Sequence, residues 1–230
     1  CGECGIILNF LIYSFLNFII MAKFDSYLLG KVTKTLGNVT MCYMNKQNIA
    51  RARIFSRKDK PTSEMLDQRA RMKVLIELSR FLLPVVQKGF VGIGNGTTSN
   101  AFVAKNMKAV DVDEKHVATV DYERLKMATG VQDVPEVSVT YSSENKMYSF
   151  EQEMQTEENG FALVDDLVYA VVFESVLMRV KLISLRSRGE NGNTSVALPK
   201  NWNHANVKIY CFATSKNGKS ISPSQYLTVE

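Results

Sequence analysis

From about Val117 to the C terminus the chain is a succession of short β-rich runs parted by turn residues, and no other feature limits its fold as strongly. The runs are "VATVDYERLKMATG", "EVSVTYS", "KMYSFEQEM", "LVYAVVFES", "VLMRVKLISL", "TSVALP", "NVKIYCFATS" and "SISPSQYLTV". Each is rich in β-branched and aromatic residues, and polar breaks recur between them. "SKNGKS" is a hairpin signal, because Asn-Gly supplies the positive φ angles of a type I′ turn. Seven or eight strands of this kind predict an antiparallel sandwich of the immunoglobulin or fibronectin type III sort. Trp202, the only tryptophan, is expected in its core near a strand start.

The preceding part of the chain follows a different pattern. Val39, Met41 and Tyr43 alternate with Thr40, Cys42 and Met44, "NKQN" forms a polar turn, and an extended pattern resumes at Ile49. This predicts a β-hairpin with Arg51 and Arg53 on one face of its second strand. Pro61 breaks the extended chain, Thr62 or Ser63 can cap a helix, and Glu64 sits near that helix's positive end. Leu66, Ala70, Val74, Leu78, Phe81 and Val85 then recur at spacings of three and four, the apolar stripe of an amphipathic helix of about six turns. Asp67 and Arg71 form an i,i+4 pair in the favourable order, Pro84 kinks or ends the helix, and Gly89 can stop it. A short helix is expected from roughly Ser99 to Lys108. The fold class is therefore α+β, with an N-terminal hairpin and long helix followed by the sandwich. The expected regions are residues 1–20, a basic hairpin-helix region over 21–116, and the sandwich over 117–230.

Residues 1–20 stand apart. Ile6–Ile20 is the most apolar run, but it holds Asn9, Ser14 and Asn17 and is shorter than the roughly 20 residues a spanning helix needs. No basic residue precedes it, as a secretory signal requires, and the cysteines come before it rather than after. "MAKF" at Met21 reads as a translation start, so the expectation is that residues 1–20 are an upstream segment or else a weak signal or anchor. On that reading the location is cytoplasmic or virion-associated, and a membrane matters only if residues 1–20 are genuine.

Charge is distributed unevenly. Residues 21–110 hold 16 basic and 5 acidic side chains, whereas residues 111–230 hold 12 basic and 17 acidic ones. The basic groups concentrate at Arg51, Arg53, Arg57, Lys58 and Lys60, and continue on the helix at Arg69, Arg71, Lys73 and Arg80. Such a surface neutralises phosphates or meets an acidic protein. Phe55 is the only aromatic within the run, where a single-strand binder wants a stacking platform.

Signals for chemistry are sparse. "CGEC" has no second ligand pair, and His116 and His204 are the only histidines, so neither a metal nor another cofactor is expected. "VGIGNGTTSN" follows a helix and lacks the lysine of a phosphate loop, so it reads as a connector. His204 with Cys211 suggests a thiol–imidazole pair, but Cys211 lies between Tyr210 and Phe212 in an apolar strand. The adjacent pairs Asp165–Asp166 and Glu157–Glu158 read as solvated turns. No catalytic set and no small-molecule substrate are expected.

The order of elements resembles an uncharacterised family of roughly two-hundred-residue proteins of Bacteroidetes. The residues that carry the resemblance in the first half are Gly30-Lys31-Val32, Gly37-Asn38-Val39, Arg51, Pro61-Thr62, Gln68-Arg69-Ala70-Arg71, Gly89-Phe90 and Asn100-Ala101. In the second half they are Leu198-Pro199, Trp202, Val207, Tyr210, Gly218-Lys219, Ser222 and Tyr226-Leu227. The chain differs from the family at Met44, where a tryptophan is usual, and at Asn45-Lys46, where a glycine turn is usual. The resemblance implies the two-part architecture and carries no activity. The expected function is a non-catalytic structural or interaction protein, such as an assembly component of a phage or mobile element. Its expected partner is another protein or a second copy; the alternative is a nucleic-acid binder using the basic hairpin and helix.

Overall fold

The structure, a computed structural model, describes residues 21–28, 30–44, 46–53, 60–94, 96–155 and 161–229. The apolar run within residues 1–20 lies outside them. The chain divides into two compact units, residues 1–60 and 61–230.

In the first unit the expected hairpin is enlarged to a four-stranded sheet. Its strands are β1 (Met21–Phe24), β2 (Lys34–Leu36), β3 (Val39–Met44) and β4 (Gln47–Ala52), in the order β1-β4-β3-β2 and antiparallel throughout. The predicted hairpin is β3–β4. "MAKF" pairs with its far edge, Met21 opposite Arg51 and Phe24 opposite Asn48. Gly37 takes a φ of 54° in the two-residue turn joining β2 to β3, where a side chain would be strained. The buried Asn48 side chain accepts from Val32 N–H at 3.0 Å and donates to the Gly30 carbonyl at 2.9 Å, tying the incoming loop to the sheet.

The second unit is mixed α+β, with three helices and several antiparallel sheets among the described residues. Helix α1 (Ser63–Phe81) begins at Thr62, whose hydroxyl accepts from Met65 N–H. It is shorter than the six turns expected, because the chain breaks at Leu82 and Pro84 opens a second helix, α2 (Leu83–Gly89). The break also shifts the buried face: Leu75, Leu78, Leu82, Val85 and Val86 are buried, whereas Phe81 is exposed. Helix α3 (Thr98–Asn106) is capped by Thr97 and runs into a 3-10 turn and the small hairpin of β5 (Val110–Val112) and β6 (Ala118–Val120).

Seven strands follow: β7 (Val137–Ser142), β8 (Met147–Gln152), β9 (Leu167–Glu174), β10 (Arg179–Ser187), β11 (Gly192–Ala197), β12 (Val207–Thr214) and β13 (Gln225–Leu227). They form a four-stranded sheet, β10-β9-β12-β13, and a three-stranded one, β11-β8-β7. The two meet through one apolar core, with Val139, Tyr148 and Phe150 against Ala170, Val172, Ile209 and Cys211. Trp202 packs at its margin. The opposite face of the four-stranded sheet is covered by the helices, where Tyr169, Val171, Phe173, Tyr210 and Phe212 meet Leu75, Leu78, Leu82, Val86 and Phe102. This double cover explains why β9 reads as the unbroken run "LVYAVVFE" instead of an alternation.

Residues on both sides of 116/117, Leu75 and Phe102 before it and Val171 and Tyr210 after it, belong to one buried apolar cluster. One expectation is corrected here. The "SKNGKS" turn is not type I′, because only Gly218 has a positive φ; Gly218 N–H donates to the Ser215 carbonyl, and Ser215 and Ser220 close the loop.

Candidate functional site

The basic residues fall into different settings. Arg51 is exposed, in register with Thr40 and Met21, on the face of the first-unit sheet that also carries buried Ile49, paired with Lys23 and Cys42. Arg53, also exposed, lies just past the end of β4, and its N–H donates to the Asn38 carbonyl at 2.8 Å. Arg57 and Lys58 lie outside the described residues, and Lys60 is exposed. On α1 the expected Arg69–Arg71–Lys73 surface is divided. Arg71 turns inward, its Nε donating to the Val110 carbonyl at 3.1 Å, and so ties the helix to β5. Its expected partner Asp67 instead meets His116, Oδ1 to Nδ1 at 2.5 Å. Arg69, Lys73 and Arg80 remain outward on one stripe with the exposed apolar side chains of Met72 and Ile76.

The other face of the first-unit sheet is apolar. The pairing register places Leu36, Val39 and Ala52 in one row, Lys34, Met41, Ala50 and Ala22 in the next, and Tyr43, Asn48 and Phe24 in the third. The third row is sheltered by the loop, with Lys31 Nζ 5.2 Å from the centre of the Tyr43 ring. The first row is open, and Leu36 is 74% exposed. Alternation through β3 and β4 thus puts Arg51 on one face with Ile49 and Cys42, and Val39, Met41 and Tyr43 on the other.

A second exposed apolar area lies at one end of the seven-stranded part, beside a buried ion pair. Arg188 is 2% exposed and Asp166 is fully buried, with Nε 3.5 Å from Oδ2. Arg188 donates from Nη1 to Gln155 Oε1 at 2.6 Å and from Nη2 to the Asp133 carbonyl at 2.8 Å. Asp166 Oδ2 accepts from Gln132 Nε2 at 3.1 Å and from Leu163 N–H at 3.0 Å. Four chain segments are thereby gathered at one place. Outside this network Met154, Phe161 and Leu163 are 53%, 60% and 47% exposed. Exposed Asp133, Glu153, Asp165 and Glu190 belong to the same segments, and Asp165 is 3.9 Å from Lys216. Sequence reasoning treated Asp165–Asp166 as solvated; only Asp165 is. No local signal marks a buried aspartate whose partner lies 22 residues onward at Arg188.

The thiol–imidazole idea does not survive. Cys211 is buried in β12, its Sγ 4.0 Å from the Pro135 carbonyl, and burial pushes the thiol up to about 12. The His204 ring stacks on Tyr141, with centroids 4.9 Å apart. Among the described residues no group of histidine, cysteine and carboxylate side chains is placed to hold a metal ion. Glu157–Glu158 lie outside the described residues. No described helix is long and apolar enough to cross a membrane. Comparison with protein-family models, curated proteins and solved structures gives no match.

Proposed function

We propose that the protein is a non-catalytic interaction module, a sandwich of fibronectin type III kind joined to a helical layer and preceded by a small sheet that docks on another protein. The fold part of this reading is supported by strand order. Lettering β7 to β13 in chain order puts the first, second and fifth strands in one sheet and the remaining four in the other. Greek-key sandwiches of the immunoglobulin and fibronectin type connect their strands in this way. Fold alone carries no function.

The observation that carries the function is the open apolar row of the first-unit sheet. A four-stranded sheet with Ile49 and Asn48 as its only clearly buried residues among those described has little core of its own. Withdrawing Leu36, 74% exposed, from water is worth about 1–2 kcal/mol, and Val39, 36% exposed, about half that or less, which an interface supplies. The test is capture from extracts of the source cells by purified wild-type protein and by a variant carrying Leu36→Asp and Val39→Asp. Bands held by the wild type and lost with the variant are the expected result; identical patterns overturn the reading.

A second reading, nucleic-acid binding, is favoured by the outward stripe of Arg69, Lys73 and Arg80 in the second unit and, separately, by the exposed Arg51 and Arg53 of the first. Replacing Arg51, Arg53, Arg69, Lys73 and Arg80 by glutamine removes about five phosphate contacts, so a log–log salt slope near −4 on duplex DNA should flatten. Weak binding that these substitutions leave unchanged removes this reading.

A further inference from the structure

We propose that two copies of the protein pair through the open edge of β11, antiparallel and about a two-fold axis. The three strands β7, β8 and β11 of each copy then form one continuous sheet. The inference goes beyond the interaction reading, since it concerns the second unit alone and does not draw on the Leu36 row. Strand β8 decides which groups point outward. The Leu198 N–H donates to the Lys146 carbonyl at 2.9 Å, and the register carries this alternation along the strand. Thr194 and Val196 thus exchange backbone bonds with Phe150 and Tyr148. The N–H and carbonyl groups of Asn193, Ser195 and Ala197 face away from β8, and among the described residues β8 is the only strand paired with β11. All three residues are exposed.

The other edges of the two sheets are unsuited to such pairing. β10 bears the exposed basic side chains of Arg179, Lys181 and Arg186, which keep one edge off another, and β13 has three residues. On β7 the outward groups belong to Val137, Val139 and Tyr141, and Val139 is 1% exposed, so that edge is covered. By contrast "GNTSVA" holds no charge and no proline. Its sequence also matches itself. With Ser195 on the axis, Asn193 lies opposite the partner's Ala197, Ser195 opposite the partner's Ser195, and Ala197 opposite the partner's Asn193. Each of these pairs exchanges two backbone bonds. Thr194 then meets the partner's Val196. Exposed Glu190 stands two residues before β11 and exposed Lys200 three residues after it. The same register brings Glu190 toward the partner's Lys200, and Lys200 toward the partner's Glu190, so opposite charges meet at both ends. That agreement selects a second copy over an unrelated strand. The contact is one strand wide, so association is weak and shows at high protein concentration.

The experiment is sedimentation equilibrium of the purified full chain at up to about 1 mM, with amide hydrogen exchange on the same samples. The weight-average mass should climb from monomer toward dimer and stop there. Exchange at Asn193, Ser195 and Ala197 should slow as concentration rises, whereas Thr194 and Val196 should be protected throughout. Ser195→Lys and Ser195→Glu each set like charges face to face on the axis, so each variant should stay monomeric. An equal mixture of the two should recover a dimer, because opposite charges then meet. Glu190→Lys should weaken pairing several-fold, and Lys200→Glu added to it should restore the wild-type value. Continued protection of Thr194 and Val196 shows that each variant keeps β11 in its sheet. A wild type that stays monomeric overturns the proposal, as does mass that passes the dimer or exchange at Ser195 that ignores concentration. The proposal also fails if Ser195→Lys pairs like the wild type, if the charged mixture does not pair, or if neither substitution at 190 and 200 changes the affinity. The Leu36→Asp, Val39→Asp variant leaves β11 untouched and should dimerise normally, which separates this result from the capture experiment.

Discussion

Replacing Arg188 by methionine removes the cation but leaves Asp166 buried. Breaking one side of a buried pair costs about 3–5 kcal/mol, whereas removing both sides is far milder. Arg188→Met should therefore destabilise the protein strongly, and adding Asp166→Leu should recover part of the loss in urea denaturation. Recovery of nothing would mean that the backbone bonds to Asp166, not its charge, hold the loops. A second consequence at this scale concerns tyrosine. Burial pushes the Tyr148 phenol up from 10.0 to about 12 and that of Tyr210 higher still. A phenol whose folded value is raised gives stability that is fully present below pH 10 and is lost as pH rises toward the folded value. The melting temperature should thus fall steeply between pH 10 and 12. Tyr210→Phe should lessen that fall while costing about 1 kcal/mol at neutral pH through the lost 2.6 Å bond to the Tyr122 carbonyl.

Secondary elements were legible where one neighbour decides burial and obscure where two compete. The runs at β7, β8, β9, β10, β11 and β12 lie where alternation or β-branched content placed them. "VATVDYERLKMATG" gave only three residues of strand, Ala118–Val120, because the chain from Tyr122 onward serves the helical layer instead. Tyr122 and Leu125 pack there, and Asn106 binds the Lys126 backbone from α3. The helix stripe was misplaced by part of a turn because the Leu82–Pro84 break resets the phase of the apolar positions. Gly89 suits a helix stop, and α2 does end there, but its stronger constraint is contact: a Cβ would lie 2.3 Å from the Met127 carbonyl. Close approach of two distant segments has no local signature. β1 and β2 escaped notice because four and three residues give no period to read. Of the candidate surface, the place of Arg51 on β4 is legible from alternation, whereas the end of the strand before Arg53 and the inward turn of Arg71 have no local signal.

For the molecule as a whole, the observed units move the expected site of cleavage. The strand pattern alone predicts that roughly residues 130–230 fold by themselves, with cleavage between Gly89 and Thr98 or near Gly130. The core shared by α1, α2, α3, β9 and β12 predicts instead that limited proteolysis separates the units near residue 60 and leaves a resistant fragment over about 61–229. Edman sequencing or mass spectrometry of the fragment checks this. A stable product beginning near residue 117 would show that the strands do not need the helices.

The doubly covered sheet also sets a problem of timing. The apolar side chains of α1 and α2 find their partners on β9 and β12, and Tyr210 follows Leu75 by well over a hundred residues. During synthesis at about 5–20 residues per second, the helices wait for many seconds with that face uncovered. Leu75, Leu82, Val86 and Phe90 are then exposed to any binder of nascent chains, long before the last strand leaves the ribosome. The finished protein hides this face completely, so its hazard belongs to birth and not to maturity.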